Sequence, residues 1–85
     1  MSNYNIIIKK SVYKDVENIP KNVLQTIFSD MKLLETDRRN INVKKIKGSL
    51  NDYRLRSGLY RIIYKIYEKE KTIEIYRIRH RKDAY

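Results

Sequence analysis

From Tyr53 to Arg79 the side chains change face at every residue, a pattern that few folds other than a half-exposed β-sheet can use. In Tyr53-Arg54-Leu55-Arg56 apolar residues alternate with arginines, so Tyr53 and Leu55 point one way while Arg54 and Arg56 share the other side. Ser57-Gly58 supplies a turn and resets the phase. In the next run Tyr60, Ile62, Tyr64 and Ile66 share one face and leave Arg61, Ile63, Lys65 and Tyr67 on the other. Glu68 to Lys71 closes a hairpin into Thr72 to Arg79, where strict alternation groups Ile73, Ile75, Arg77 and Arg79 against Glu74, Tyr76, Ile78 and His80. Three such runs predict an antiparallel meander with one apolar face and one basic face open to solvent.

Before residue 43 the period lengthens. Asn3 to Lys9 holds a triple Ile and reads as a first strand, on an edge or paired centrally. Ser11 offers an N-cap, and Val12, Val16 and Ile19 recur at helical spacing up to Pro20, which suits the first turn of the next helix. Val23, Leu24, Ile27, Phe28, Met31 and Leu34 form one apolar stripe, as core packing requires. Glu35 to Asn42 is polar, and Val43 to Lys47 leads to Gly48 as a short strand or extended arm. The expected fold class is α+β, with two N-terminal helices packed on a mainly antiparallel four- to five-stranded sheet. Eighty-five residues leave no room for a second core, so residues 1–85 are expected to form a single domain.

The charge points to an anionic partner. Lys and Arg number 20 against 10 acidic residues, a net +10, and the excess is uneven. Met1 to Asn42 carries seven basic and five acidic residues, whereas Val43 to Tyr85 carries thirteen and five. Nucleic acid is the foremost partner for such a surface. With no Cys and one His, thiolate chemistry and a multi-His metal site are excluded, and no cofactor is expected. The longest apolar run, Ile6-Ile7-Ile8, is far below a membrane span, and a cytoplasmic location without membrane contact is the simplest expectation.

Ile46-Lys47-Gly48, the segment Tyr53-Arg54-Leu55-Arg56-Ser57-Gly58-Leu59-Tyr60-Arg61-Ile62-Ile63-Tyr64 and the terminal Arg79-His80-Arg81-Lys82-Asp83-Ala84-Tyr85 resemble the RelE/ParE toxin superfamily over nearly the whole chain. The resemblance implies a RelE-like, microbial-ribonuclease-type fold and a toxin of a type II toxin–antitoxin system. Its partner would be a cognate acidic antitoxin that wraps the toxin surface, with DNA binding only through the antitoxin complex. RelE-like members are endoribonucleases that cleave mRNA in the ribosomal decoding site and so inhibit translation. The ParE branch acts on DNA gyrase and generally lacks the RelE-like residue set. Arg54 and Arg56 match positions commonly occupied by lysine, Arg61 matches the strand arginine, Arg81 the late arginine and Tyr85 the terminal tyrosine. The resemblance therefore favours a metal-independent mRNA interferase over a non-catalytic gyrase-binding toxin or a basic RNA-binding module.

Metal-free RNA cleavage needs a base for the 2′-hydroxyl, positive charge for the phosphorane and an acid for the 5′ oxygen. Arg54, Arg56 and Arg61 suit charge stabilisation far better than proton abstraction, because a guanidinium stays protonated. His80 is the side chain whose ordinary titration lies nearest neutrality, and it is the leading expectation for base or acid. Tyr85 either shuttles a proton or stacks on a base. Lys44, Lys45 and Lys47 are expected to steer the chain to RNA, and Arg77 and Arg79 to add RNA or antitoxin contacts. Tyr53, Tyr60 and Tyr64 could form an RNA-stacking row, but their alternation with Ile and Leu favours core packing.

Overall fold

The computed structural model describes residues 3–37, 42–80 and 82. β1 (Asn5–Ile8) leads directly into α1 (Lys10–Asp15). It is followed by α2 (Lys21–Lys32), a 3₁₀ turn over Leu33–Glu35, and the strands β2 (Val43–Lys45), β3 (Asp52–Ser57), β4 (Tyr60–Tyr67) and β5 (Thr72–His80). The five strands form one sheet in the order β1-β5-β4-β3-β2. All neighbours are antiparallel except β1 and β5, which run parallel with Ile6 opposite Ile73 and Ile8 opposite Ile75. The first strand thus takes the edge position of the two expected, and its parallel pairing makes the sheet mixed. No described helix is long and apolar enough to cross a membrane.

Both helices lie on one face of the sheet and close the core. Val12 from α1, Ile27 and Met31 from α2 and Leu34 from the 3₁₀ turn meet Leu55, Ile62, Tyr64, Ile66, Ile73, Ile75 and Ile78. The stripe read for α2 holds for these positions, whereas Phe28 turns outward and is 40% exposed. Ser57 is only 4% exposed, and its hydroxyl donates to Asp30 Oδ2 at 2.6 Å, tying α2 to the end of β3. The Tyr4 hydroxyl donates to Glu68, which fastens the entry to β1 to the β4–β5 turn.

Several helix boundaries differ from the sequence expectation. Ser11 does not cap α1: Lys9 occupies the N-cap position and makes no side-chain cap bond. The cause is the preceding strand, because the Lys9 N–H still bonds Ile75 O at 2.9 Å and the helix starts at once. α1 stops at Asp15 rather than running towards Ile19, with the Ile19 N–H turned back to Val16 O. Pro20 stands just before α2, extended at φ −56 and ψ 145, and its carbonyl accepts the Leu24 N–H. Its fixed φ suits this place as well as the first turn.

The main correction concerns β5. Strict alternation groups Arg77 and Arg79 with Ile73 and Ile75, but the β4–β5 register slips between Ile63 and Tyr64. Ile63 pairs with Arg77 while Tyr64 pairs with Ile75, so Tyr76 is an extra residue in a β-bulge. Beyond it the faces exchange. Ile78 enters the core at 2% exposure, and Arg77 and Arg79 join the outer face. A buried aliphatic in place of a buried arginine is the physical reason, since an unpaired guanidinium in the core would cost far more than one unpaired ladder position.

The β3–β4 turn consists of Gly58 and Leu59, because Ser57 remains in the strand. Gly58 has φ 59, the left-handed value that a type II′ hairpin needs at its first central position. This turn brings Arg56 and Arg61 directly opposite one another.

Candidate active site

The outer sheet face carries two cross-strand rows of like charge. Lys44, Arg54, Ile63 and Arg77 lie in one row across β2 to β5, and Arg56, Arg61 and Arg79 lie in the next across β3 to β5. Direct partners on one sheet face stand about 4.5–5.5 Å apart at Cβ, where like charges destabilise the pair. A cleft of about 210 Å³ is lined by Asn42, Lys44, Arg54, Arg56 and Arg61. An adjoining depression of about 140 Å³ is bordered by Arg56, Gly58, Tyr60 and Arg61. Towards the other end of the face the charges alternate: Lys65 sits between Asp52 and Glu74, and the Tyr67 hydroxyl donates to Glu74 at 3.2 Å. Among the described residues of this face, the excess positive charge therefore lies at the end that holds the cleft.

Asp52 marks the boundary between the two halves. Its Oδ1 accepts the Tyr76 hydroxyl at 3.1 Å and its Oδ2 accepts the Ser49 hydroxyl. Burial, followed by the Asp52 carboxylate, pushes the Tyr76 phenol up to about 12, so it remains a hydrogen-bond donor at neutral pH.

The structure brings Arg54, Arg56, Arg61 and Lys44 together and adds Arg77 and Arg79 through the bulge. Lys45 pairs with Tyr53 on the helix side, and Lys47 lies in the turn beyond β2, so neither lines the cleft. Asn42, unnoticed in the sequence, lines the cleft because its carbonyl accepts the Arg56 N–H at 3.0 Å. A single asparagine ahead of an edge strand carries no periodic signal that could have singled it out.

His80 does not share the arginine face. It pairs with Tyr60 on the helix side, ring edge to ring face at 5.2 Å, and its Nδ1 accepts the Lys82 N–H at 3.2 Å. The ring borders a separate cavity of about 610 Å³ with Asp15, Asn18, Tyr60 and Lys82. The bulge is again responsible, since it exchanges the two faces beyond Tyr76 and so sends Arg79 outward and His80 to the helix side. Arg79 stands between the two regions: Arg61 is its cross-strand partner, yet it also borders the His80 cavity, and its buried Nε has no hydrogen-bond partner among the described residues. Arg81 and Tyr85 lie outside the described residues.

The tyrosines divide by burial. Tyr64 is fully buried and Tyr53 8% exposed, with their rings stacked at 5.9 Å, which makes them core rather than an RNA platform. Tyr60 is partly buried at the rim.

Residues 6–85 match the sequence profile of the ParE toxin of type II toxin–antitoxin systems. RelE1 of Methanocaldococcus jannaschii is 31% identical over 85 residues, covering 96% of this chain and 94% of that protein. Toxin RelE3 of the same organism is 33% identical over 88 residues, covering 94% and 93%. The toxin fold in the crystal structure of the archaeal RelE–RelB complex from Pyrococcus horikoshii OT3 superposes with a TM-score of 0.80 at 31% identity, over 96% of this chain and 99% of that one. The isolated E. coli RelE toxin superposes with a TM-score of 0.74 at 16% identity, over 91% and 83%, a likeness of fold alone.

Proposed function

The chain belongs to the ParE toxin family of type II toxin–antitoxin systems and is RelE-like within it, and on that premise we propose that it is a metal-independent endoribonuclease acting on ribosome-bound mRNA. The observation that carries the reading is the row Arg56, Arg61 and Arg79, delivered side by side by three adjacent strands next to the cleft of Lys44 and Arg54. Each like-charged pair is unfavourable in the free protein, and a polyanion laid along the face removes that repulsion. In the cleavage step the 2′-oxygen attacks phosphorus, the bond to O5′ breaks, and a cyclic phosphate and a 5′-hydroxyl result. One proton leaves the 2′-hydroxyl and one reaches O5′. The guanidinium groups hold the phosphate and stabilise its added charge, while staying protonated throughout. Arg81 and Tyr85 enter the proposal through the family resemblance, with Tyr85 a candidate for proton transfer or base stacking.

Adding the purified protein to ribosomes that are translating a defined mRNA, and mapping truncated products by primer extension, tests the reading. Cleavage within the ribosome-covered codons is expected. A transcript left whole while growth still arrests would instead favour the non-catalytic reading, in which the toxin binds a protein target such as gyrase.

The position of His80 makes a separate prediction. Its contacts with Tyr60 and the Lys82 N–H on the opposite face support a reading in which another group exchanges the proton. His80→Gln should therefore slow single-turnover cleavage by less than about 10-fold, against the 10²–10⁴ that a general acid or base supplies. A loss of about 10²-fold or more in that variant would return His80 to the chemistry.

Partners follow the same logic. The solved RelE relatives from Pyrococcus horikoshii and Methanococcus jannaschii are complexes with RelB. We infer that this chain has its own acidic antitoxin, which covers the cation rows. Affinity measured by titration calorimetry should then fall as salt rises, and the amides from Arg54 to Arg61 should gain protection from exchange. Salt-independent affinity without that protection would remove the cation face from the interface.

A further inference from the structure

The sheet delivers Arg79 to the cation face only because one residue of β5 is unpaired, so whatever fixes that bulge also fixes the site. Tyr76 is the extra residue, and its side chain reaches across β4 to Asp52 on β3, where its hydroxyl donates to Oδ1 at 3.1 Å. Asp52 is itself anchored. Its other oxygen accepts the Ser49 hydroxyl, its N–H donates to Ser49 Oγ at 3.2 Å, and its carbonyl accepts the Ile46 N–H at 2.9 Å. The tether therefore runs from the bulge to the braced first residue of β3. On the other flank β1 pairs with β5 only as far as Ile75, and beyond the bulge the Ile78 N–H donates to Asp15 Oδ2 at 3.1 Å.

Without such restraints a bulge can be lost or can migrate to the end of a strand, and the one-residue change of register that results would turn Arg79 from the outer face to the core side. We propose that Tyr76 and Asp52 are positioning residues whose hydrogen bond holds the β5 bulge in the register that sets Arg79 beside Arg61. The proposal rests on the reading of the outer face as the RNA site. It assigns Asp52 a role opposite to its charge: a carboxylate at the border of a phosphate-binding face weakens anion binding locally, yet here it keeps one more arginine in the row. Burial of the phenol supports the assignment, because a donor that stays protonated at neutral pH keeps the tether intact.

The test is the salt dependence of binding to a labelled ten-nucleotide oligouridine, read by fluorescence anisotropy with the full-length chain. Each phosphate contact on a single strand contributes a slope of about −0.7 in log K against log salt. Arg79→Ala should make the slope shallower by about 0.7, and Tyr76→Phe should reproduce that loss while unfolding at nearly the wild-type temperature. The double variant should lose no more than Arg79→Ala alone, since both changes remove the same contact. Asp52→Asn retains an oxygen acceptor for Tyr76 and should keep the wild-type slope, whereas Asp52→Ala should not. Additive losses in the double variant, or a wild-type slope in Tyr76→Phe, would overturn the proposal. If Arg79→Ala itself leaves the slope unchanged, the phosphate role of Arg79 fails, and hydrogen exchange then decides the positioning role. Faster exchange confined to the Ile78 to His80 amides in Tyr76→Phe supports it, and unchanged exchange there rejects it.

Discussion

Arg61→Ala should lower single-turnover cleavage of ribosome-bound mRNA by about 10²-fold or more, the loss expected when one donor to a developing oxyanion is removed. Arg61 occupies the centre of the row, with Arg56 as its partner on β3 and Arg79 on β5, so a phosphate seated there meets a guanidinium from each side. Arg61→Lys keeps the charge but loses the planar fork, and an intermediate rate is expected. Stability provides the control. Arg56 is exposed and faces Arg61 directly, so Arg56→Ala should unfold at the same or a slightly higher urea concentration, by no more than about 1 kcal/mol. A cleavage rate near wild type in Arg61→Ala would remove the row from catalysis, whatever its part in binding. A variant that loses activity together with its cooperative unfolding transition would point to misfolding instead.

The strand phases before Tyr76 were legible because each apolar position on β3 and β4 is followed by a charged or half-exposed one, and period two leaves only one register for the core. Arg54, Arg56 and Arg61 could therefore be placed on one face from the letters alone. The phase beyond Tyr76 was hidden for a physical reason. A bulge needs neither glycine nor proline, and Ile-Tyr-Arg-Ile reads equally well as continuous strand. Only the demand that Ile78 rather than Arg79 be buried reveals it, and that demand depends on the pairing with Ile62. The consequence reaches the site: the same change of phase that brings Arg79 into the row places His80 on the other face. The short α1 was similarly obscure, because its start is dictated by a long-range bond from Lys9 to Ile75 rather than by the nearby Ser11.

Tyr64→Ala should be the most destabilising single change at an aromatic position, at about 3–5 kcal/mol, set against a total stability of about 5–15 kcal/mol for a domain of this kind. Tyr64 is fully buried, stacks on Tyr53 at 5.9 Å and lies in register with Ile75, directly beside the slip in β4–β5 pairing. Its removal leaves a cavity under the point where the outer face changes phase, and urea unfolding should show a large drop in midpoint. Cleavage will fall too, but through the folded fraction. Trimethylamine N-oxide, which favours compact states by exclusion from the surface, should therefore restore much of the activity of Tyr64→Ala and none of that of Arg61→Ala. The opposite pattern, with wild-type stability but weakened RNA binding in Tyr64→Ala, would mean that the ring stacks on a base and that the core closes without it.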